Sequence, residues 1–207
     1  FAASASFPDA APRKAVPFAI FATTGTEDFN HLELRTLDAA LTSPHRLAVF
    51  EGGHAWPPAP LITDGVEWME LQAMKSRLKP RDQQEIDALF AKRLAAAGVD
   101  TDGRAAAGAG SSTDQFVALQ ALVADFTGLR DVSALAKRAA ALGRDAGVRA
   151  ALTHDGEDDD RERAIVAEVQ AAEGRLDFPR QRDAAMAALL RHWQALSPEQ
   201  WQRIGHH

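Results

Sequence analysis

The stretch that decides the fold is Val16–Trp56, which reads VPFAIFATTGTEDFNHLELRTLDAALTSPHRLAVFEGGHAW. Two apolar runs, Val16–Ala22 and Leu47–Phe50, are separated by Asn30–Leu41, in which leucines recur close to a helical period. Two buried strands joined by a helix form a βαβ unit, and such units build parallel sheets. The stretch therefore predicts a parallel sheet with one crossover helix.

Each predicted strand is followed by a group that can carry acid–base chemistry. Asp28 comes after the first strand, and His54 follows Gly52 and Gly53 after the second. The carboxyl ends of parallel strands meet at one edge of a sheet, so Asp28 and His54 are expected there together. A carboxylate that accepts a hydrogen bond from one imidazole nitrogen leaves the other nitrogen free as general base. The pattern predicts a catalytic acid and base.

The same residues have other interpretations. Asp28 is also placed to be the N-cap of a helix that begins at Phe29, and Glu27 is an alternative acid. A lone histidine after two glycines, such as His54, is often only a loop residue. Trp56 is expected either to wall a substrate site or to pack within its loop.

Two short segments resemble known enzymes. Gly25–Asp28, the acid turn, and Glu51–Pro57, the histidine loop, are similar to those of bacterial serine hydrolases of the dienelactone hydrolase and polyhydroxybutyrate-depolymerase-like type. In these α/β-hydrolases the triad follows the chain order Ser, then Asp or Glu, then His. The resemblance covers residues 1–79. It implies the last strands of a partial α/β-hydrolase sheet, with Asp28 as the acid and His54 as the base of a triad.

The sequence departs from that family in one respect. The family's nucleophile lies in a G-x-S-x-G elbow upstream of the acid, and no such elbow precedes Asp28. Ser4 and Ser6 are the nearest serines, but their context is that of strand or loop residues. We therefore interpret the chain as the C-terminal portion of a larger hydrolase, with the serine outside it. An open strand edge would then be covered by the missing N-terminal segment or by a second copy of the chain.

After residue 80 the pattern changes from strands to helices. We expect residues 1–80 to be the hydrolase portion and residues 81–207 to be a helical domain, which gives a fold class of α/β followed by all-α. Helices are predicted at 82–97, 113–125, 132–142, 146–154, 164–176, 180–196 and 198–204. Phe116–Phe126 with Val132–Leu142 resembles a tetratricopeptide-like hairpin, although a generic helical bundle fits equally well.

The densest run of charge is Thr153–Arg163, with the sequence THDGEDDDRER. Its aspartates, Asp158–Asp160, could bind a hard cation such as calcium. The run lacks the ligand spacing of an EF-hand loop, and a solvated first turn of a helix is the preferred interpretation. His206 and His207 resemble the end of a purification tag and are not counted as a metal site.

Composition narrows the possible partners. The net charge of −6 argues against nucleic acid and against an anionic membrane surface. The chain contains no cysteine, so it has neither disulfides nor thiolate chemistry, and its composition suits cytosol and periplasm alike. No apolar run approaches the roughly 18–20 residues of a membrane span. Abundant alanine and arginine are typical of a GC-rich bacterial genome.

Two functions follow from these observations. The first is hydrolysis of a small-molecule ester by a serine-hydrolase triad to which this chain contributes Asp28 and His54, and that chemistry requires neither metal nor organic cofactor. The second is a non-catalytic helical scaffold or interaction module that carries a remnant of a hydrolase.

Overall fold

The structure, a computed structural model, describes residues 2–3, 14–106, 110–176 and 196–204, together with residues 184, 186, 187, 190 and 191. Its elements are β1 (Ala2–Ala3), β2 (Ile20–Gly25), α1 (His31–Ala40), β3 (His45–Phe50), α2 (Ala59–Lys75), α3 (Gln83–Ala96), α4 (Ser112–Phe126), α5 (Ser133–Leu142), α6 (Ala146–Leu176) and α7 (Pro198–Ile204). The chain divides into two compact units, which we call the sheet unit (Phe1–Thr63 with Glu157–His207) and the helical unit (Asp64–Gly156).

The sheet unit is built on a small parallel sheet with the strand order β1-β2-β3. β2 pairs with β3 over its whole length, from Ile20 opposite His45 to Gly25 opposite Phe50. Helix α1 connects these two strands, and its buried leucines pack on β2 in one apolar cluster that contains Ile20, Ala22, Leu34, Leu37 and Leu41. The predicted βαβ arrangement of β2, α1 and β3 is thus present.

The position of the first strand differs from the prediction. The apolar run Val16–Ala22 was expected to be the strand, whereas β2 begins at Ile20 and continues to Gly25. Val16 instead donates its N–H to the Ser43 hydroxyl at 2.7 Å, and Pro17 has no N–H to give to a ladder. At the other end, Thr23 and Thr24 are fully buried, because β-branched threonine fits a strand as well as apolar residues do.

The predicted fold class, α/β followed by a separate all-α region, is wrong. The described chain is mostly helical, and its parallel sheet consists of two six-residue strands and the two-residue β1. Residues 157–176 and α7 belong to the sheet unit, and the helical unit ends at Gly156. Arg35 of α1 donates to Asp159 of α6 at 2.7 Å, although 124 residues separate them in the sequence. Contacts of this kind hold residues 157–176 next to α1. Local periodicity carries no information about such contacts.

The helical unit has one continuous apolar core formed by α2, α3, α4 and α5. Asp82 caps α3 as predicted, because its side chain accepts a hydrogen bond from the Glu85 N–H at 3.0 Å. Ser111 and Asp114 form a capping box that starts α4. Residue 80 lies between α2 and α3, inside the helical unit, and a domain boundary at that position stays a prediction, as does the tetratricopeptide-like character of α4 and α5.

The acidic run does not begin a helix. α6 is one helix of 31 residues, where two shorter ones were predicted, and Asp158–Asp160 lie in its interior. Asp158 and Asp160 pair with Arg161 and Arg163, each three residues further along, so the charges are balanced on the helix itself. The predicted helix over 180–196 lies largely outside the described residues. No helix in the described part of the chain is both long and apolar enough to cross a membrane.

Trp68 supplies the first prediction. Its side chain is 2% exposed, and its indole N–H donates to the buried Asp125 carboxylate at 2.8 Å. Replacing Trp68 with Phe removes that donor, and a hydrogen bond to a charged group contributes about 1.5–3 kcal/mol. We expect chemical denaturation to show that the free energy of unfolding of Trp68→Phe is lower than that of the wild-type protein by this amount. Trp56→Phe is the control, because Trp56 is 81% exposed; an equal loss in both variants would contradict the role of the buried bond.

Candidate active site

The acid turn holds Asp28 through its own backbone. The Asp28 N–H donates to the Gly25 carbonyl at 3.2 Å, and the Asp28 carbonyl accepts from the His31 N–H at 2.8 Å. Its side chain is fully buried, and Oδ1 accepts a hydrogen bond from the Asn30 N–H at 2.9 Å. The N-cap position of α1 is Asn30, so Asp28 is not the cap of this helix. Backbone hydrogen bonds within the acid turn therefore hold the Asp28 carboxylate in place.

The histidine loop lies directly against the acid turn. The Thr26 N–H donates to the Phe50 carbonyl at 2.8 Å, and the Glu27 N–H donates to the Gly52 carbonyl at 2.9 Å. A Cβ atom at Gly25 would come within 2.1 Å of the Gly52 carbonyl oxygen, so only glycine allows this approach. Gly52 has a φ of 131°, a conformation that side chains disfavour, as expected for the sharp turn before His54.

This backbone arrangement brings Asp28 and His54 together. His54 Nδ1 lies 3.1 Å from Asp28 Oδ1. The histidine side chain is 47% exposed, whereas the carboxylate is fully buried. A carboxylate accepts but does not donate, so the contact requires a proton on Nδ1, which in the neutral imidazole means the Nδ1–H tautomer. That tautomer leaves Nε2 with a lone pair, which is what a general base needs.

Phe29 is a part of the site that sequence reasoning missed. Its ring stacks on the His54 imidazole, with centroids 4.5 Å apart and an interplanar angle of 21°. The stacking covers one face of the imidazole and limits its rotation. The signal available in the sequence was an aromatic residue directly after the candidate acid. Trp56 is 81% exposed, and its contact with substrate stays a prediction.

His31 is a second residue that the sequence did not single out. It is buried, and its Nδ1 lies 3.1 Å from the Gly25 carbonyl oxygen, to which it donates. Burial lowers the pKa of His31, and the positive charges of Arg203 and Arg35 lower it further. His31 therefore supports the end of β2 as a neutral imidazole.

His45 lies apart from this pair, at the start of β3 opposite Ile20. His45 donates from Nδ1 to the Ser43 carbonyl at 2.7 Å, and its Nε2 is 3.5 Å from Asp38. Ser4 and Ser6 lie outside the described residues. Within the described ranges, no three His, Cys, Asp or Glu side chains are grouped so as to hold a metal ion.

Comparisons with models of known protein families, with curated proteins and with solved structures found no match to this chain. The likeness to serine hydrolases therefore rests on the acid turn and the histidine loop alone.

The close approach of the histidine loop to Gly25 gives a prediction for stability. Gly25→Ala forces the new methyl group into the backbone of the histidine loop, and we expect it to lower the free energy of unfolding by about 3 kcal/mol, the upper range for single substitutions. Gly53→Ala is the matched control, because no atom lies within 4 Å of a Cβ built there. Denaturation curves that shift equally for both variants would show that the close approach is absent.

His31 gives a prediction for pH. Its folded-state pKa lies below the ordinary value of 6.5, so below about pH 6.5 the unfolded chain binds a proton that the folded chain does not. The contribution of neutral His31 to the free energy of unfolding is therefore fully present above that pH, and it falls as pH decreases toward the lowered pKa. His31→Asn keeps a donor for the Gly25 carbonyl but does not titrate. We expect its unfolding free energy to decline less over this window, and parallel declines in both proteins would refute the assignment.

Proposed function

We propose that this chain supplies the acid and the base of a serine-hydrolase-type site that cleaves an ester bond. Asp28 is the acid and His54 is the base, and the serine comes from outside the chain. The single observation that carries the proposal is the hydrogen bond from His54 Nδ1 to the buried Asp28 carboxylate at 3.1 Å, with the imidazole half-exposed.

The chemistry follows from that geometry. Asp28 holds the proton on Nδ1, so Nε2 takes the proton of the serine hydroxyl as its oxygen attacks the ester carbonyl. The imidazolium formed is stabilised by the buried carboxylate, an interaction that low dielectric strengthens. Nε2 then returns the proton to the departing alkoxide, which leaves as an alcohol. In the second half of the reaction, Nε2 takes a proton from a water molecule as its oxygen attacks the acyl-serine. Nε2 then returns that proton to the serine oxygen, and the carboxylic acid product is released.

The surroundings of the pair are compatible with a small apolar ester. Phe29 covers one face of the imidazole at 4.5 Å, and the exposed indole of Trp56 follows two residues after His54 on the same loop. An aromatic surface beside the base would contact an acyl chain and exclude part of the surrounding water. We therefore assign Trp56 to substrate binding within the proposal.

The edges of the sheet support the proposal that a partner provides the serine. Among the described residues, β1 pairs only with β2 and β3 pairs only with β2, so the sheet has open edges at which further strands add. The partner is proposed to be the N-terminal segment of the hydrolase or a second copy of this chain.

The proposal predicts the effect of removing the base. We would express the whole reading frame that contains this chain and measure hydrolysis of p-nitrophenyl butyrate. Turnover is expected, and His54→Ala and Asp28→Asn are each expected to lower kcat by about 10³–10⁴-fold, because members of a triad act as a unit. His45→Ala is the matched control, since His45 also faces an aspartate in the same unit, and it should retain activity.

Two results would contradict this function. The first is turnover that survives His54→Ala, which would place the base elsewhere. The second is the absence of turnover in the folded product of that reading frame, which would favour the scaffold function instead.

A further inference from the structure

Arg203 in α7 contacts the acid turn although 177 residues separate it from Thr26. Its Nη1 donates a hydrogen bond to the Thr26 carbonyl oxygen. Its Nε and Nη2 donate to the two carboxylate oxygens of Glu162 in α6, with 2.5 Å between Nε and Oε1. The side chains of Arg203 and Glu162 are only 12% and 3% exposed. One guanidinium thus joins α6, α7 and the acid turn.

Stability alone does not account for such a pair. Removing two charges from water costs free energy that their attraction often fails to recover, so a buried ion pair is weak evidence for a stabilising role. What the planar guanidinium does provide is direction, because its N–H groups point along fixed lines. With Nε and Nη2 both bound to Glu162, the direction of Nη1 toward Thr26 is set.

Thr26 is the residue through which this direction reaches the candidate site. Its N–H donates to the Phe50 carbonyl, and its hydroxyl accepts from the Gly52 N–H at 3.3 Å, so it links the acid turn to the histidine loop. The neighbouring carbonyl of Gly25 is held by His31. Two consecutive carbonyls before Asp28 are therefore each fixed by a side chain from a helix.

We propose that Arg203 and Glu162 are positioning residues, which fix the Thr26 carbonyl and thereby hold Asp28 against His54. Neither residue touches the reacting atoms. The effect on hydrolysis rests on the proposed function, whereas the positioning itself is a property of the folded chain and can be measured without a substrate.

The test is an NMR measurement of the His54 Nδ1 proton and of the Glu27 and Asp28 amides. Arg203→Lys keeps the positive charge beside Glu162 but has one nitrogen in place of the three that bind Glu162 and Thr26 in fixed directions. We expect exchange of the Nδ1 proton with water to become about tenfold faster or more, or its resonance to be lost, and both amides to shift. In the ester assay kcat should fall while KM changes little.

Arg35→Lys is the matched control, because Arg35 also pairs with an aspartate of α6 in the sheet unit but binds no atom of the acid turn. Unchanged amides and an unchanged Nδ1 proton in folded Arg203→Lys would overturn the proposal, and so would equal effects in both variants. If Arg203→Lys does not fold, the double variant Arg203→Met with Glu162→Met removes both charges together. Failure of that variant to fold would also overturn the proposal, since the pair would then be a general requirement of the fold.

The two proposals fail in different ways. If the wild-type chain shows no hydrogen-bonded Nδ1 proton on His54 but Arg203→Lys moves the Glu27 and Asp28 amides, the positioning is upheld and the acid–base pair is not. If the Nδ1 proton is present and Arg203→Lys leaves it and the amides in place, the acid–base pair is upheld and the positioning is not.

Discussion

The absence of a side chain at Gly25 is the constraint on which the candidate site depends. The carbonyl oxygens of Gly52 and Gly53 occupy the space within 2.5 Å of where a Cβ atom would be. This approach allows Thr26 and Glu27 to bond to the backbone at the end of β3 and the start of the histidine loop. The hydrogen bond between His54 and Asp28 therefore depends on this backbone contact, which the Thr26 hydroxyl supplements by accepting from the Gly52 N–H.

Local features of the sequence predicted local structure. The leucine period of α1 and the cap of α3 by Asp82 depend on residues within one or two turns of each other, and both are present. The start of β2 could not be placed in this way, because apolar character continued back through Val16 while Pro17 cannot join a ladder. Hydropathy alone does not distinguish a buried strand from the buried segment that leads into it.

Non-local structure was beyond the reach of the sequence for a different reason. In a parallel sheet the carboxyl ends of neighbouring strands lie at the same edge, which is why Asp28 and His54 could be expected together. The contacts of Asp159 with Arg35 and of Arg203 with Thr26 depend on how two later helices pack near the sheet, and no periodicity encodes that packing. The predicted fold class was wrong because the described chain is mostly helical and its parallel sheet is small.

Two Asp–His pairs in the sheet unit show why proximity alone does not define a catalytic base. In the pair of Asp38 and His45, Nδ1 is engaged by the Ser43 carbonyl and Nε2 faces the carboxylate at 3.5 Å. Both imidazole nitrogens are then engaged, and the carboxylate is the more exposed partner, at 42% against 25%. In the pair of Asp28 and His54 the carboxylate is buried and the imidazole is half-exposed, and Nδ1 bonds to Asp28.

This difference in exposure has a chemical consequence. A buried carboxylate interacts strongly with an imidazolium that forms beside it, because little water screens the charges. A half-exposed imidazole can still be reached by a hydroxyl group and a carbonyl carbon. The burial of Asp28 and the partial exposure of His54 accompany the tight turn at the end of β2, whose backbone bonds to the histidine loop. The buried His31 and the largely buried Arg203 each donate to a carbonyl of that turn, and in the proposed arrangement they restrain its movement away from His54.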